Sequence, residues 1–292
     1  MCRTRGDRPN GKALSVAGGL GRGERIVKIF LSADIEGTAG IAHWDEAERT
    51  HADYAEFRSL MTAEVVAACE GARSAGATEV VIKDAHDSGR NLVLDRLPDY
   101  VRIMRGWSGH PDGMMFGIGP DFAAAIYTGY HAKAGSEANP LAHTTTLRIS
   151  RLLLNGEVAS EFTFNALCAA RYGVPSVFLA GDAEICEDAR QMVPSLRTVS
   201  TIEGFGRASL SIAPSRACSA IREEVAAALS SMSPERVPPL EGPFEIVIEF
   251  SNPTDAWRAA WYPGAKASGS RTVVFKSDDF FEIQRALRFL TA

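Results

Sequence analysis

The chain has 292 residues, 46% of them hydrophobic and 23% charged, with a formal net charge of -5. This is the balance of a globular protein with material for one large or two ordinary domains, and it carries no electrostatic footprint for nucleic acid. No apolar run approaches the length of a membrane-crossing helix. Five cysteines (Cys2, Cys69, Cys168, Cys186 and Cys218) are odd in number and scattered without a C-x-x-C pair. That argues against a disulfide framework or a thiolate zinc site and suits reduced thiols in the cytoplasm.

Residues 1–25 carry Arg3, Arg5, Arg8, Lys12, Arg22 and Arg25 among glycine and small residues, without the apolar core of a secretory signal. They read as a disordered basic tail. The run Ile26–Leu31 is rich in β-branched and aromatic residues and is expected to be a buried strand. It ends in Ser32-Ala33-Asp34-Ile35-Glu36-Gly37. Strand side chains alternate, so Asp34 and Glu36 point to one side, where the two carboxylates repel each other. Either an exposed strand end leaves them in water, or a metal, an Arg or Lys, or a shared proton stands between them.

A helix is expected over 52–75, with Tyr54, Phe57, Met61, Val65, Ala68 and Ala72 on one face and Gly76 closing it. Val80-Val81-Ile82 is a second buried strand and delivers Asp84-Ala85-His86-Asp87. Strand, helix, strand is a βαβ unit of a parallel sheet, whose ligand site lies beyond the carboxyl ends of the strands. Residues 100–104 form another expected strand, followed by a glycine-rich loop. The strand 123–128 ends in Gly129-Tyr130-His131-Ala132, a further imidazole at a strand end. His143 follows a polar loop, and 144–154 runs into Asn155-Gly156, a strong hairpin signal.

Glu161 opens a helix to about Tyr172, with Asn165 one turn later, and 177–179 is one more buried strand. The fold class expected is therefore α/β, with a parallel-sheet domain over 26–190 that carries the site. A second, smaller α+β domain is expected over 191–292. It comprises a helix over 215–232, a Pro-rich linker at 234–239, strands over 245–250 and 271–275, and a last helix from Asp279.

Collected at these element ends are Asp34, Glu36, His86, His131, His143 and Glu161. Carboxylates and imidazoles without thiolates suit Zn²⁺. Three carboxylates with two imidazoles exceed the needs of one tetrahedral ion and match two ions sharing a bridging carboxylate. Taken singly, each histidine fits an ordinary surface or core position, and Glu161 fits a helix start favoured by the dipole. Their gathering at one edge is what favours a site. His43, His51 and His110 need no more than loop or helix-start positions. Asp84 and Asp87 flank His86 either as acceptors that orient it or as exposed loop carboxylates.

Six stretches carry a resemblance. They are Ser32 to Gly37, Asp84-Ala85-His86 with Asn91-Leu92, Gly129 to Ala132, His143-Thr144, Asn155-Gly156 leading to Glu161 with Asn165-Ala166, and Pro263-Gly264 with Arg271-Thr272-Val273. Together they resemble the zinc D-aminopeptidases of peptidase family M55, from about Ile26 to the end. The resemblance implies a Rossmann-like parallel domain with a smaller second domain, and two zinc ions per subunit. Asp34 would bridge the ions, Glu36 and His86 would complete one site, and His131 and Glu161 the other, with His143 catalytic. It further implies release of N-terminal residues, preferentially D-amino acids such as D-alanine, from short peptides, and a ring-shaped homo-oligomer, a decamer by analogy. Two rivals stand beside this expectation: a binuclear metallohydrolase of another amide, and a metal-dependent peptide-binding component of a transport system.

Overall fold

A computed structural model describes residues 27–232 and 241–292. The expected basic tail and Pro-rich linker lie outside the described residues. In chain order the elements are β1 (Lys28–Ala33), α1 (Tyr54–Ser74), β2 (Glu79–Asp84), β3 (Val101–Met104), β4 (Ala124–Tyr130), β5 (Ile149–Leu154), β6 (Glu157–Val158), α2 (Glu161–Arg171), β7 (Ser176–Asp182), α3 (Ala183–Met192), β8 (Arg197–Phe205), β9 (Ala208–Ser211) and α4 (Pro214–Ser230). They continue with β10 (Phe244–Phe250), α5 (Pro253–Ala259), β11 (Lys266–Ala267), β12 (Thr272–Ser277) and α6 (Phe280–Leu290).

The apolar, β-branched segments of the first half pair as parallel strands in a seven-stranded sheet of order β3-β2-β1-β4-β7-β8-β9, in which only β9 runs antiparallel, against β8. Alternation along β1 sends Ile29 and Leu31 to a core with α1 and α4, and Phe30 to the opposite core with α2 and α3. Strands buried on both faces are the signature of such a doubly covered parallel sheet. After β1 the chain turns toward β2 and β3 and then returns to the other side of β1 as β4. The switch point between β1 and β4 is where such sheets bind ligands.

The second sheet is antiparallel, with five strands in the order β11-β12-β10-β5-β6. Its apolar face packs on α5 and α6 through Phe250, Ile248, Ala256, Ile283 and Leu287. The fold class is α/β with a smaller α+β layer, as expected, but sheet membership does not follow the expected division at residue 190. Strands β8 and β9 extend the parallel sheet, and α4, expected in the second unit, packs its Ile221 and Val225 into the core that α1 covers. Gly71 of α1 makes that approach feasible, because a Cβ there would stand 2.4 Å from the Arg222 carbonyl oxygen.

Conversely, the hairpin β5–β6 leaves the first half to pair with β10, in the register Leu152↔Ile248 and Leu154↔Ile246. Its turn holds Asn155 and Gly156 at φ 52 and 89°, the left-handed pair that a two-residue hairpin requires. Helices α3 and α5 and strands β8, β9 and β11 are additions to the expected elements.

Candidate metal centre

The six side chains singled out above arrive at one place, at the carboxyl ends of β1, β2 and β4 and the start of α2. The β1 end is pinned to β4, with Asp34 N donating to Thr128 O at 2.9 Å and Gly37 N to Gly129 O at 2.8 Å. Two glycines allow this contact: a Cβ on Gly129, which has φ +69°, would lie 2.0 Å from Asp34 O, and one on Gly37 would lie 1.8 Å from Tyr130 O.

His86 is set by a carboxylate clamp beneath its loop. Asp84, fully buried, accepts from Asn91 N (2.6 Å), Asn91 Nδ2 (2.7 Å) and Leu92 N (2.9 Å), and Asn91 Nδ2 also donates to His86 O (2.7 Å). Asp84 therefore positions the backbone of the loop, whereas Asp87 is exposed at φ 37°. Glu161 is the first residue of α2, where Ser160 caps Thr163 N, and its Oε1 accepts from Thr145 N at 2.7 Å. Thr145 holds φ +65°, costly for a β-branched residue, and so keeps the loop that carries His143 turned toward Glu161.

Distances within the cluster are short. His86 Nδ1 lies 3.3 Å from Asp34 Oδ1 and 3.1 Å from Glu36 Oε1. His131 Nε2 lies 3.7 Å from Asp34 Oδ2 and 3.6 Å from Glu161 Oε2. His143 Nε2 faces Glu36 Oε1 at 3.9 Å and Glu161 Oε1 at 3.7 Å, with its ring stacked on His131 at 4.3 Å. Asp34 thus offers one oxygen to each of two groups, Asp34-Glu36-His86 and Asp34-His131-Glu161. A third grouping, Glu36-His131-His143, also has its donor atoms close enough to share an ion.

A backbone carbonyl accepts from one nitrogen of every ring: Ala47 O for His86 Nε2 (2.9 Å), Ala132 O for His131 Nδ1 (3.0 Å) and Leu141 O for His143 Nδ1 (3.0 Å). A carbonyl only accepts, so each of those nitrogens carries the proton. The remaining nitrogen of each ring is aimed at carboxylates, an arrangement that needs either a second proton or a cation in between.

His131 Nε2 and Glu36 Oε2 are buried with no hydrogen-bond partner among the described residues. The separations of 3.1–3.9 Å bracket the roughly 3.4 Å between neighbouring ligand atoms around a tetrahedral ion with ligands at about 2.05 Å. The residues fit a metal.

Electrostatics point the same way. Burial, with the Glu36 charge beside it, pushes the Asp34 carboxyl well above the usual range. Burial also opposes ionisation of Glu36, but the charges of His86, His131 and His143 outweigh it and hold that carboxyl well below its usual value. For Glu161 burial is again opposed, chiefly by His131, which brings the pKa to about 2. Burial disfavours imidazolium at His86 and His131, yet the adjoining carboxylates raise both well above 6.5. His143 differs: burial and the His131 charge lower it. It is also the most open of the six, with 13% of its side chain exposed against 7% or less for the others.

The cluster opens into a cavity of about 590 Å³. Trp44, edge-on to His143 at 5.3 Å, and Trp107, Pro111, Asp112, Gly113 and Met114 of the glycine-rich loop line it. Sequence reasoning did not bring α6 to the cavity, where Gln284, Leu287 and Arg288 form part of the wall. Nor did it find Asn139 and Asp182, both buried, which tie the cluster's backbone: Asn139 Nδ2 donates to Glu36 O and Asp182 Oδ2, and Asp182 accepts from Ala132 N. Asp182 carries a local signal as the cap of α3, while Asn139 carries none. His43 and His51 are exposed beside Asp45, and His110 packs on Phe116 and Phe281, all three outside the cluster.

A D-aminopeptidase of Bacillus subtilis (strain 168) is 28% identical over 269 residues, 91% of this chain and 97% of its own length. The solved structure of the Zn-dependent D-aminopeptidase DppA from Bacillus subtilis, a self-compartmentalizing protease, superposes with a TM-score of 0.86 at 26% identity, covering 91% of this chain and 97% of that one. Residues 27–289 match the family model of the M55 peptidases, described as D-aminopeptidase. The chain belongs to peptidase family M55, the D-aminopeptidases.

Proposed function

We propose that this protein is a zinc-dependent aminopeptidase that removes N-terminal residues, D-alanine among them, from short peptides. The observation that carries the reading is the set of three imidazoles, each fixed by a backbone carbonyl, with their free nitrogens turned into three buried carboxylates. In this reading two zinc ions would be held by these residues, Glu36 and His86 on one and His131 and Glu161 on the other, with Asp34 available to both. Bound there, zinc supplies Lewis acidity toward the scissile carbonyl and a water acidic near pH ~7.

His143 is left over from the ligand set and serves the proton. Its Nδ1–H is committed to Leu141 O, so proton transfer is confined to Nε2, which faces the cavity. A neutral imidazole there accepts a proton from the attacking water and returns it to the departing amine. The lowered basicity of His143 keeps it neutral at physiological pH, and Trp44 shields one side of its ring from bulk water.

The relative described as self-compartmentalizing supports a homo-oligomer, and the family resemblance a ring of ten. No helix among the described residues is long and apolar enough to cross a membrane. The described cysteines are free thiols, which supports a cytoplasmic place. The test is release of free D-alanine from D-Ala-D-Ala and of L-alanine from L-Ala-L-Ala by zinc-loaded protein, with a chelated control. Cleavage of the D form alone, abolished by chelator, is the expected result. Metal bound without cleavage of either peptide would move the site to another amide or to binding alone.

A further inference from the structure

The cavity that holds the cluster is electrically lopsided. Asp34, Glu36, Glu48, Asp87, Asp112 and Glu161 all reach its wall, and among the described residues lining it the sole lysine or arginine is Arg288, on the last turn of α6. Neighbouring arginines are paired, Arg171 with Asp112 and Arg285 with Glu282. Arg288, half-buried, has no carboxylate within 4.0 Å among the described residues.

Its place is nonetheless built. The guanidinium carbon stands 5.7 Å from the centroid of the Trp107 ring, whose Nε1–H donates to Asp87 O at 2.5 Å. Beneath that indole the fully buried Lys83 ammonium lies 4.1 Å from the ring centroid and donates to Gly106 O at 3.0 Å, holding the loop that carries Trp107. A guanidinium within cation–π reach of a braced indole, its donors uncommitted among the described residues, is a planar fork suited to a carboxylate. The cluster and Arg288 line one and the same cavity of about 590 Å³, the size of one small-ligand site.

We propose that Arg288 binds the C-terminal carboxylate of the substrate, so that the enzyme selects short peptides with a free acid terminus over capped or internal sequences. The inference rests on the aminopeptidase reading above. A zwitterionic dipeptide would set its amine among these carboxylates and its own carboxylate on Arg288, the sole lysine or arginine among the described lining residues.

The experiment compares D-Ala-D-Ala with its C-terminal amide, by release of free D-alanine, for zinc-loaded wild type, Arg288→Gln and Arg288→Lys, with zinc content measured on each. Wild type is expected to show a KM for the free acid lower than that for the amide. Arg288→Gln should raise the free-acid KM about 10- to 100-fold with kcat nearly unchanged, leaving the amide's constants alone. Arg288→Lys should fall between. Wild-type constants alike for acid and amide would overturn the inference while leaving the aminopeptidase reading intact. So would an Arg288→Gln variant that loses zinc or loses both activities equally. Cleavage of neither peptide by the zinc-loaded wild type would overturn that reading and this inference with it.

Discussion

Among the six residues of the cluster, His143 is distinguished by its lowered basicity and by its greater opening to the cavity. His143→Ala is therefore expected to keep two zinc ions per protomer, counted by elemental analysis, and to lower kcat for D-Ala-D-Ala by about 10² to 10⁴. Loss of an ion would instead make it a ligand, in keeping with the third donor grouping. A second residue tests the support beneath the site. Glu64 on α1 is buried, accepts from Ala39 N at 2.8 Å, and leaves its other oxygen without a partner among the described residues. Burial raises its pKa to about 8. Between the unfolded value of about 4.3 and that figure the folded chain holds a proton that the unfolded chain has released, so this group's stabilising share is full at low pH and is lost as pH rises. Thermal unfolding of wild type and Glu64→Gln at pH 5 and pH 8 should show the wild type losing ground to the variant at the higher pH. A constant difference would mean that Glu64 is already ionised in the folded protein.

At the level of elements, the contact between the ends of β1 and β4 leaves no room for a side chain at Gly129. Gly129→Ala adds both a positive-φ penalty and a Cβ 2.0 Å from Asp34 O. It should cost about 3 kcal/mol in urea unfolding and lower zinc content as Asp34 shifts. Much of this level was legible in the sequence, because the relevant signals are local. The β-branched runs ending at Asp34, Asp84 and Tyr130 mark strands, their ends mark the site, and Asn155-Gly156 marks the hairpin. What stayed hidden depended on partners distant in the chain. Helix α3 starts on the last residue of β7, where Asp182 both ends the strand and caps the helix, so no loop announces it. The apolar face of α4 was visible, but its seat against α1 depends on Gly71. Likewise Ile149–Leu154 alternates in the same way whichever sheet receives it, and only pairing with β10 decides. Arg288 could not be read as part of the site for the same reason.

Across the whole molecule, zinc held as proposed by Asp34, Glu36, His86, His131 and Glu161 would stabilise the fold as well as serve the reaction. Chelation should lower the unfolding temperature and added zinc restore it, by about 2.7 kcal/mol for each ion present at a hundredfold excess over its dissociation constant. Light scattering of the zinc-loaded protein should give a multiple of the protomer mass, and a monomer would count against the proposed ring. The excursion of β5–β6 into the second sheet also has a consequence in time. His143 and Glu161 stand on either side of that hairpin, which has no neighbour to pair with on its β10 side until Phe244–Phe250 has been synthesised. Closing so long a loop is a late event in folding. A chain still emerging from the ribosome would thus hold Asp34, Glu36 and His86 in place well before it had anything able to cut, and hydrolytic competence would arrive with the last strands made.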